Sequence, residues 1–326
     1  MMSEKLLLLD GDGVGPYVIS SAESVLNVMV DSIEVIHQDI GRSAYDKTGQ
    51  YLPHETMDAL DDCHRVICGP AISPENTKGP IESLMVQLGL FARIRRFKTL
   101  APDLGVEGMD VVLWSSNAMG SEMTEVEDLD GINLNKYVKS TAYNKMMSLA
   151  LSDVEMRRIA KVTCLTKPDF FPLSSAMYDE SFDSLFPADT YETRHMNVKD
   201  WMDKVVKHPK DDQCILCVDL YSQLVAGVLG GLTGYNHLAP RCLIGDDYKF
   251  YKPCSNHSIE GIPDEYVNPT ASILSVAAIL RDIGMMDESI AVYKAVSDTY
   301  VAGERTPDVG GTLTSSDFTD RVISRL

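Results

Sequence analysis

The sequence predicts an α/β fold of two lobes, on three observations. A chain of 326 residues with 44% apolar content can bury a large core. Short apolar runs of strand length alternate with stretches of helical spacing along most of it. Glycine and proline turns punctuate the alternation, beginning with Asp10-Gly11-Asp12-Gly13-Val14-Gly15-Pro16.

Taken in order, Leu6–Leu9 reads as a strand, the glycine turn follows, and an amphipathic helix runs to about Val30. The spacing G-x-G-x-G-P lacks the third glycine of a dinucleotide fingerprint, so a tight turn exploiting positive φ is the better reading. A second strand spans Val35–Gly41, a helix Glu55–Leu60, and a third strand Arg65–Pro70, stopped by its Gly-Pro. Ser83–Lys98 carries a helix and then a strand, and Asp110–Trp114 another strand. Glu125–Asn135 is acidic and rich in turn residues, and Lys136–Ser152 has helical spacing. Val162–Leu165 and Cys214–Leu220 read as buried strands on either side of a helix at Asp200–Lys207 that carries Trp201. Leu224–Leu232 reads as a helix whose glycines admit a second backbone, and Ser272–Gly284 and Asp287–Ala302 are apolar helices.

The net charge of −19 argues against nucleic acid or an anionic membrane as partner. It also means that an anionic di- or tricarboxylate needs a cleft lined by basic residues. Seven cysteines are scattered along the chain. Cys214-Ile215-Leu216-Cys217 has C-x-x-C spacing but lies in an apolar run with no second pair to complete a zinc set, so core thiols in a reducing compartment are expected. No apolar run approaches the ~20 residues of a membrane span. The opening Met-Met-Ser-Glu-Lys shows no signal or transit peptide. The cytoplasm, or the mitochondrial matrix, is the expected location.

Several separate stretches, in order, carry a resemblance. His195-Met196-Asn197-Val198-Lys199, then Asp219-Leu220-Tyr221-Ser222-Gln223 and Leu238-Ala239-Pro240 follow the frame His-Met-x-Val-Asp, Asn-Leu-Tyr-Gly-Asp and Gly-Leu-Ala-Pro. The opening glycine turn, Gly69-Pro70, Leu90-Phe91-Ala92-Arg93-Ile94-Arg95, Val267-Asn268-Pro269 and the tail from Gly303 to Ile323 fit the same frame. Together they resemble the β-decarboxylating dehydrogenases, the isocitrate and isopropylmalate dehydrogenase family. That resemblance implies an α/β, two-lobed isocitrate/isopropylmalate dehydrogenase-like fold. Residues 1–98 plus 251–326 would form the large, nucleotide-side lobe, and residues 99–250 the smaller lobe for dimerisation and substrate.

The resemblance also exposes departures. The family's three metal-binding aspartates fall on Lys199, Gln223 and Gly227, so no divalent metal is expected. One substrate arginine falls on Met85, while another is kept as Arg95. Of the segment Arg-Glu-Asn-x-Glu-Gly-x-Tyr, Asn117 and Gly120 remain, and Glu122 stands at the proton-donating tyrosine. Glu122 reads either as an acid–base group or as a solvated surface carboxylate. Lys167 matches the family's catalytic lysine and stands equally as an exposed lysine at a strand end. On the cofactor side, Glu260 occupies the ribose-binding position and Asn268 the adenine-side one. The nicotinamide-side histidine becomes Ser255, with His257 one register away as a loop histidine.

Arg95, Asn117 and Lys199 are thus the candidate ligand-binding residues, Lys167 and Glu122 the candidate catalytic ones, and Glu260 and Asn268 the candidate contacts for NAD or an adenine nucleotide. The leading expectation is a non-catalytic member of the family, acting as a regulatory or structural subunit in a homodimer or beside an active paralogue. The alternative is an NAD(P)-dependent oxidoreductase or decarboxylase with metal-independent chemistry on a small hydroxy acid.

Overall fold

The computed structural model describes residues 4–75, 78–117, 121–253 and 258–326. Ten strands form one sheet in the order β2-β1-β3-β12-β11-β4-β5-β10-β8-β9. In chain order these are β1 (Glu4–Leu9), β2 (Ile33–Gln38), β3 (Arg65–Cys68), β4 (Ala92–Lys98), β5 (Asp110–Ser116), β8 (Lys161–Thr166), β9 (Glu192–Asn197), β10 (Cys214–Cys217), β11 (Arg241–Ile244) and β12 (Lys249–Tyr251). The strands β2, β1, β3 and β12 run parallel, as do β5, β10, β8 and β9. Between the two parallel blocks, β11 pairs antiparallel with β12 and β4, and β4 antiparallel with β5. The sheet therefore reverses direction at its middle, which is where α/β sheets open crevices for ligands.

Strand periodicity divides the core. Leu6 and Leu8, Val112 and Trp114, and Cys214 and Leu216 point into one apolar layer, which holds α1 (Gly15–Met29), α5 (Ser140–Arg157), α6 (Pro172–Leu185), α9 (Thr270–Asp282), α10 (Met286–Val301) and α11 (Ser315–Ile323). On the other side, Leu7 and Leu9 join a cluster with α3 (His54–Asp62) and α4 (Pro80–Gln87). There Val111, Leu113, Ile215 and Cys217 join a separate cluster with α7 (Val198–Lys207) and α8 (Asp219–Thr233). Burying each leucine of β1 is worth about 1.5–3 kcal/mol, so the register of this strand is strongly fixed.

The opening glycine turn is structural, as its spacing predicts. Gly11 and Gly13 have φ of 72° and 58°, and a Cβ on Gly11 would lie 2.1 Å from the Pro70 carbonyl oxygen. Asp12 accepts backbone N–H bonds from Arg42, Ser43 and Ile72, so its carboxylate staples the turn rather than facing a ligand. Cys214 and Cys217 are core thiols, and burial pushes both pKa values up.

Three sequence expectations need correction. The acidic stretch at Glu125–Asn135, rich in turn residues, is mostly strand: β6 (Ser121–Asp128) and β7 (Gly131–Val138) form an antiparallel hairpin around the two-residue turn Leu129-Asp130, with Ile132, Leu134 and Tyr137 supplying strand propensity. Consequently the following helix begins at Ser140, beyond Lys136. The strand at Cys214 ends at Cys217, because Val218 turns the chain and Asp219 opens α8, where an acidic side chain suits the helix dipole. Within α8 the small-residue reading holds at Gly230, where a Cβ would lie 2.5 Å from the Asn236 Cα. Gly227 and Gly231 face open space.

Candidate functional site

At the reversal in the sheet, the register pairs Arg95 of β4 directly with Arg241 of β11. Period-two alternation places Arg93 on the same side. Arg95 donates to the Asn236 side-chain oxygen at 2.7 Å and to the Asn236 and Ala239 carbonyls at 2.6 and 3.0 Å, and its guanidinium lies over Phe97 at 4.7 Å. Arg93 donates to Asn117 Oδ1 at 2.9 Å, and Asn117 Nδ2 donates to the Leu90 carbonyl. Asn117 is thus buried as the bracket that holds Arg93.

Burial and the neighbouring guanidiniums push Arg95 down to about 9 and Arg93 down to about 10, and burial lowers Arg241. All three stay charged at neutral pH. Each also keeps a buried Nε–H without an acceptor. Three cations this close, Arg95 buried and Arg93 and Arg241 half-buried, repel one another and favour a bound anion.

Arg95 and Arg241 line a cavity of about 400 Å³ with Asn268, His237, Lys252 and Asp308. This volume lies in the usual range for small-molecule sites, about 300–1,000 Å³. The Asn268 side chain is committed internally: it donates to Tyr300 Oη and Asp308 at 3.0 Å and accepts from the Thr270 backbone. Burial works against the Asp308 charge, but His237, Thr306 and Asn268 hold its carboxyl below the usual range. Glu260 is exposed, beside the bridge between Ile259 and Ile262. Ser255 and His257 lie outside the described residues, as does the Glu122 side chain.

A second group gathers at the ends of β8 and β9. Lys167 is not an exposed lysine: its side chain is 11% accessible and pairs with Asp169, with the Phe170 ring 4.9 Å away. Asn197 donates to Asp169 at 2.7 Å, and its side-chain oxygen caps α7 by accepting from the Lys199 N–H at 3.0 Å. One carboxylate and one amide thereby tie Lys167 to Lys199, whose side chain is exposed. Lys167 lines a cavity of about 360 Å³ with Lys136, Tyr143, Ser174 and Tyr221. Lys136 pairs with Asp219, and burial, then the Asp219 charge, pushes the Tyr143 hydroxyl up, so it stays protonated.

The positions that match metal-binding aspartates do not suit a divalent cation. Lys199 offers an ammonium, exposed Gln223 one amide oxygen, and Gly227 no side chain at all. Among the described residues the one grouping with ligand spacing is Cys164, Asp179 and His195. There His195 is already hydrogen-bonded to Asp179 at 3.1 Å and Asp183 at 2.8 Å.

The structure therefore joins Arg95 to Asn268 around one cavity and Lys167 to Lys199 through Asp169 and Asn197, while the two cavities share no lining residue. Sequence reading missed Arg93, Arg241, Lys136 and Tyr143. Alternation in Ala92-Arg93-Ile94-Arg95 could have found Arg93, whereas Arg241 becomes visible only through the pairing of distant strands.

The isocitrate/isopropylmalate dehydrogenase family model matches residues 5–322. The isocitrate/homoisocitrate dehydrogenase of Thermus thermophilus is 27% identical over 333 residues, covering 100% of this chain and 99% of that protein. The 3-isopropylmalate/3-methylmalate dehydrogenase of Methanocaldococcus jannaschii is 26% identical over 341 residues, covering 99% and 98%. Crystalline isocitrate dehydrogenase from Methylococcus capsulatus superposes with a TM-score of 0.87 at 21% identity, covering 99% of each chain. A β-decarboxylating dehydrogenase from Thermococcus kodakarensis gives 0.88 at 20% identity, covering 99% of this chain and 96% of that one. With its sheet, its motifs and nearly its whole length in common with them, the chain belongs to the isocitrate/isopropylmalate dehydrogenase family.

Proposed function

We propose that this chain is a non-catalytic member of the family that binds a small anion between its lobes without a metal and serves as a regulatory or structural subunit. The observation that carries this reading is an exchange of charge. Where the family motif has three aspartates there are an ammonium, an amide and a bare backbone, while three guanidiniums, one buried and two half-buried, meet at the centre of the sheet. Such a site attracts carboxylates or phosphates but lacks the Lewis acid that stabilises an enolate after decarboxylation. The cavity beside Asn268 is the place for NAD or an adenine nucleotide, as a ligand rather than a hydride acceptor.

Pairing with an identical chain or an active paralogue is supported by the β6–β7 hairpin. Among the described residues it joins no other sheet, and it exposes Leu129, Ile132, Leu134 and Tyr137. A lone two-stranded hairpin is marginal in water and gains from being covered.

The test is NAD⁺ and NADP⁺ reduction by the purified protein with isocitrate, homoisocitrate and 3-isopropylmalate, with Mn²⁺ or EDTA. No turnover is expected under any of these conditions. Metal-dependent turnover overturns the reading. Turnover that persists in EDTA favours the metal-independent enzyme instead, for which Lys167 and Tyr143 share a cavity.

A further inference from the structure

We propose that the opposite side of the central strands carries a second binding site, for a small amphipathic anion whose apolar ring enters a slot and whose dianionic head sits in a basic mouth. The alternation that turns Arg95 and Arg241 to one side turns Ile94, Arg96 and Cys242 to the other. On that side lie two cavities that share no lining residue with the Asn268 cavity.

The inner one, about 270 Å³, is the slot. Ile94 and Trp114 of the sheet, Leu149 and Met156 of α5, and Ala278 of α9 wall it. A cavity of ~150 Å³ suffices for benzene, so this one accepts a bicyclic ring. Its carboxylates are neutralised: Asp153 by Arg157 at 2.8 Å, and Asp282 by Lys249 at 2.9 Å.

Arg96, Met156, Arg157, Arg281 and Tyr293 line both cavities, so the slot opens into the outer one, the mouth, of about 710 Å³. The mouth sets Arg96, Lys98, Arg157, Arg158, Arg281 and Lys294 against only Asp110 and Asp298, in a chain of net charge −19. Asp110 is committed to Arg96 and Asp298 to Lys294. Lys98 and Arg158 have no carboxylate partner among the described residues. Arg281 reaches Asp153 and Asp282 only at 4.0 and 3.8 Å, and its Nε–H is buried without an acceptor. Arg158 closes α5 in the left-handed conformation, φ 56°, where the helix dipole favours a cation. Mouth and slot together select a ligand with a flat apolar body and at least two negative charges.

Isothermal titration of the full chain with naphthyl phosphate and with inorganic phosphate tests the proposal. Naphthyl phosphate should bind at least about tenfold more tightly, the difference that filling the slot supplies. The double variant Lys98→Gln/Arg158→Gln, both at exposed positions, should weaken naphthyl phosphate by about tenfold. Ala278→Leu should remove the advantage of the ring, while Arg241→Gln, which acts on the first anion site, should leave that advantage in place. Equal affinity for the two probes, indifference to Lys98→Gln/Arg158→Gln, or disappearance of the ring advantage in Arg241→Gln would each overturn the second site.

Discussion

Arg95 and Arg241 stand opposite each other across β4 and β11, and among the described residues neither guanidinium has a carboxylate partner. Like charges placed directly across a strand pair destabilise it. Arg241→Met should therefore raise the free energy of unfolding of the ligand-free protein by about 0.2–1 kcal/mol in urea titrations. Citrate should stabilise the parent protein, and the same variant should lose that stabilisation. A fall in stability without ligand would mean that the pair is not under electrostatic tension.

The metal question has a direct measurement. Millimolar Mg²⁺ or Mn²⁺ should leave the melting temperature of the parent protein unchanged. The triple variant Lys199→Asp/Gln223→Asp/Gly227→Asp alters three exposed positions, and a Cβ at position 227 meets nothing within 4 Å. Its melting temperature should rise with Mn²⁺ if these positions still converge as the family frame implies.

Asp212 is the buried acceptor for three donors: Thr163 Oγ1 at 2.6 Å, Trp201 Nε1 at 2.8 Å, and Arg194. Asp212→Ala would leave the indole and the hydroxyl without an acceptor beneath α7 and the Arg194 guanidinium with Thr163 Oγ1 at 3.3 Å in place of a carboxylate. A loss of about 3–5 kcal/mol is expected in urea unfolding, with Asp212→Asn losing less.

His195 gives a pH signature. Burial disfavours its charge, but the hydrogen bonds with Asp183 and Asp179 outweigh that effect and raise its pKa above 6.5. A raised folded-state value means that the contribution is fully present below about 6.5 and is lost as pH rises through the folded value. The melting temperature of the parent protein relative to Asp183→Asn should therefore narrow from pH 6 towards pH 8. A constant difference would exclude this linkage.

The fold was legible because it is written in local patterns: the unbroken run of leucines in β1, the glycine turn against Pro70, and the motif frame around His195. The hairpin was not, because its acidic residues resemble those of a solvated loop and only cross-strand pairing reveals β6 and β7. At the site, Arg95, Asn117 and Asn268 could be named, but their contacts could not. Asn117 serves Arg93 and Asn268 serves Tyr300 and Asp308, and each partner comes from a remote part of the chain. Arg241 escaped notice for the same reason, since its meaning depends on which residue faces it across the strand pair.

Gly230 carries a consequence beyond helix packing. The backbone it allows to approach belongs to Asn236, the residue whose side chain and carbonyl both anchor Arg95. One methyl group there would shove that anchor outward and swing a buried positive charge away from its neighbour. A spacer atom inside α8 thus sets the aim of a guanidinium on a different element, and Gly230→Ala should disturb anion uptake without altering any group that touches the anion.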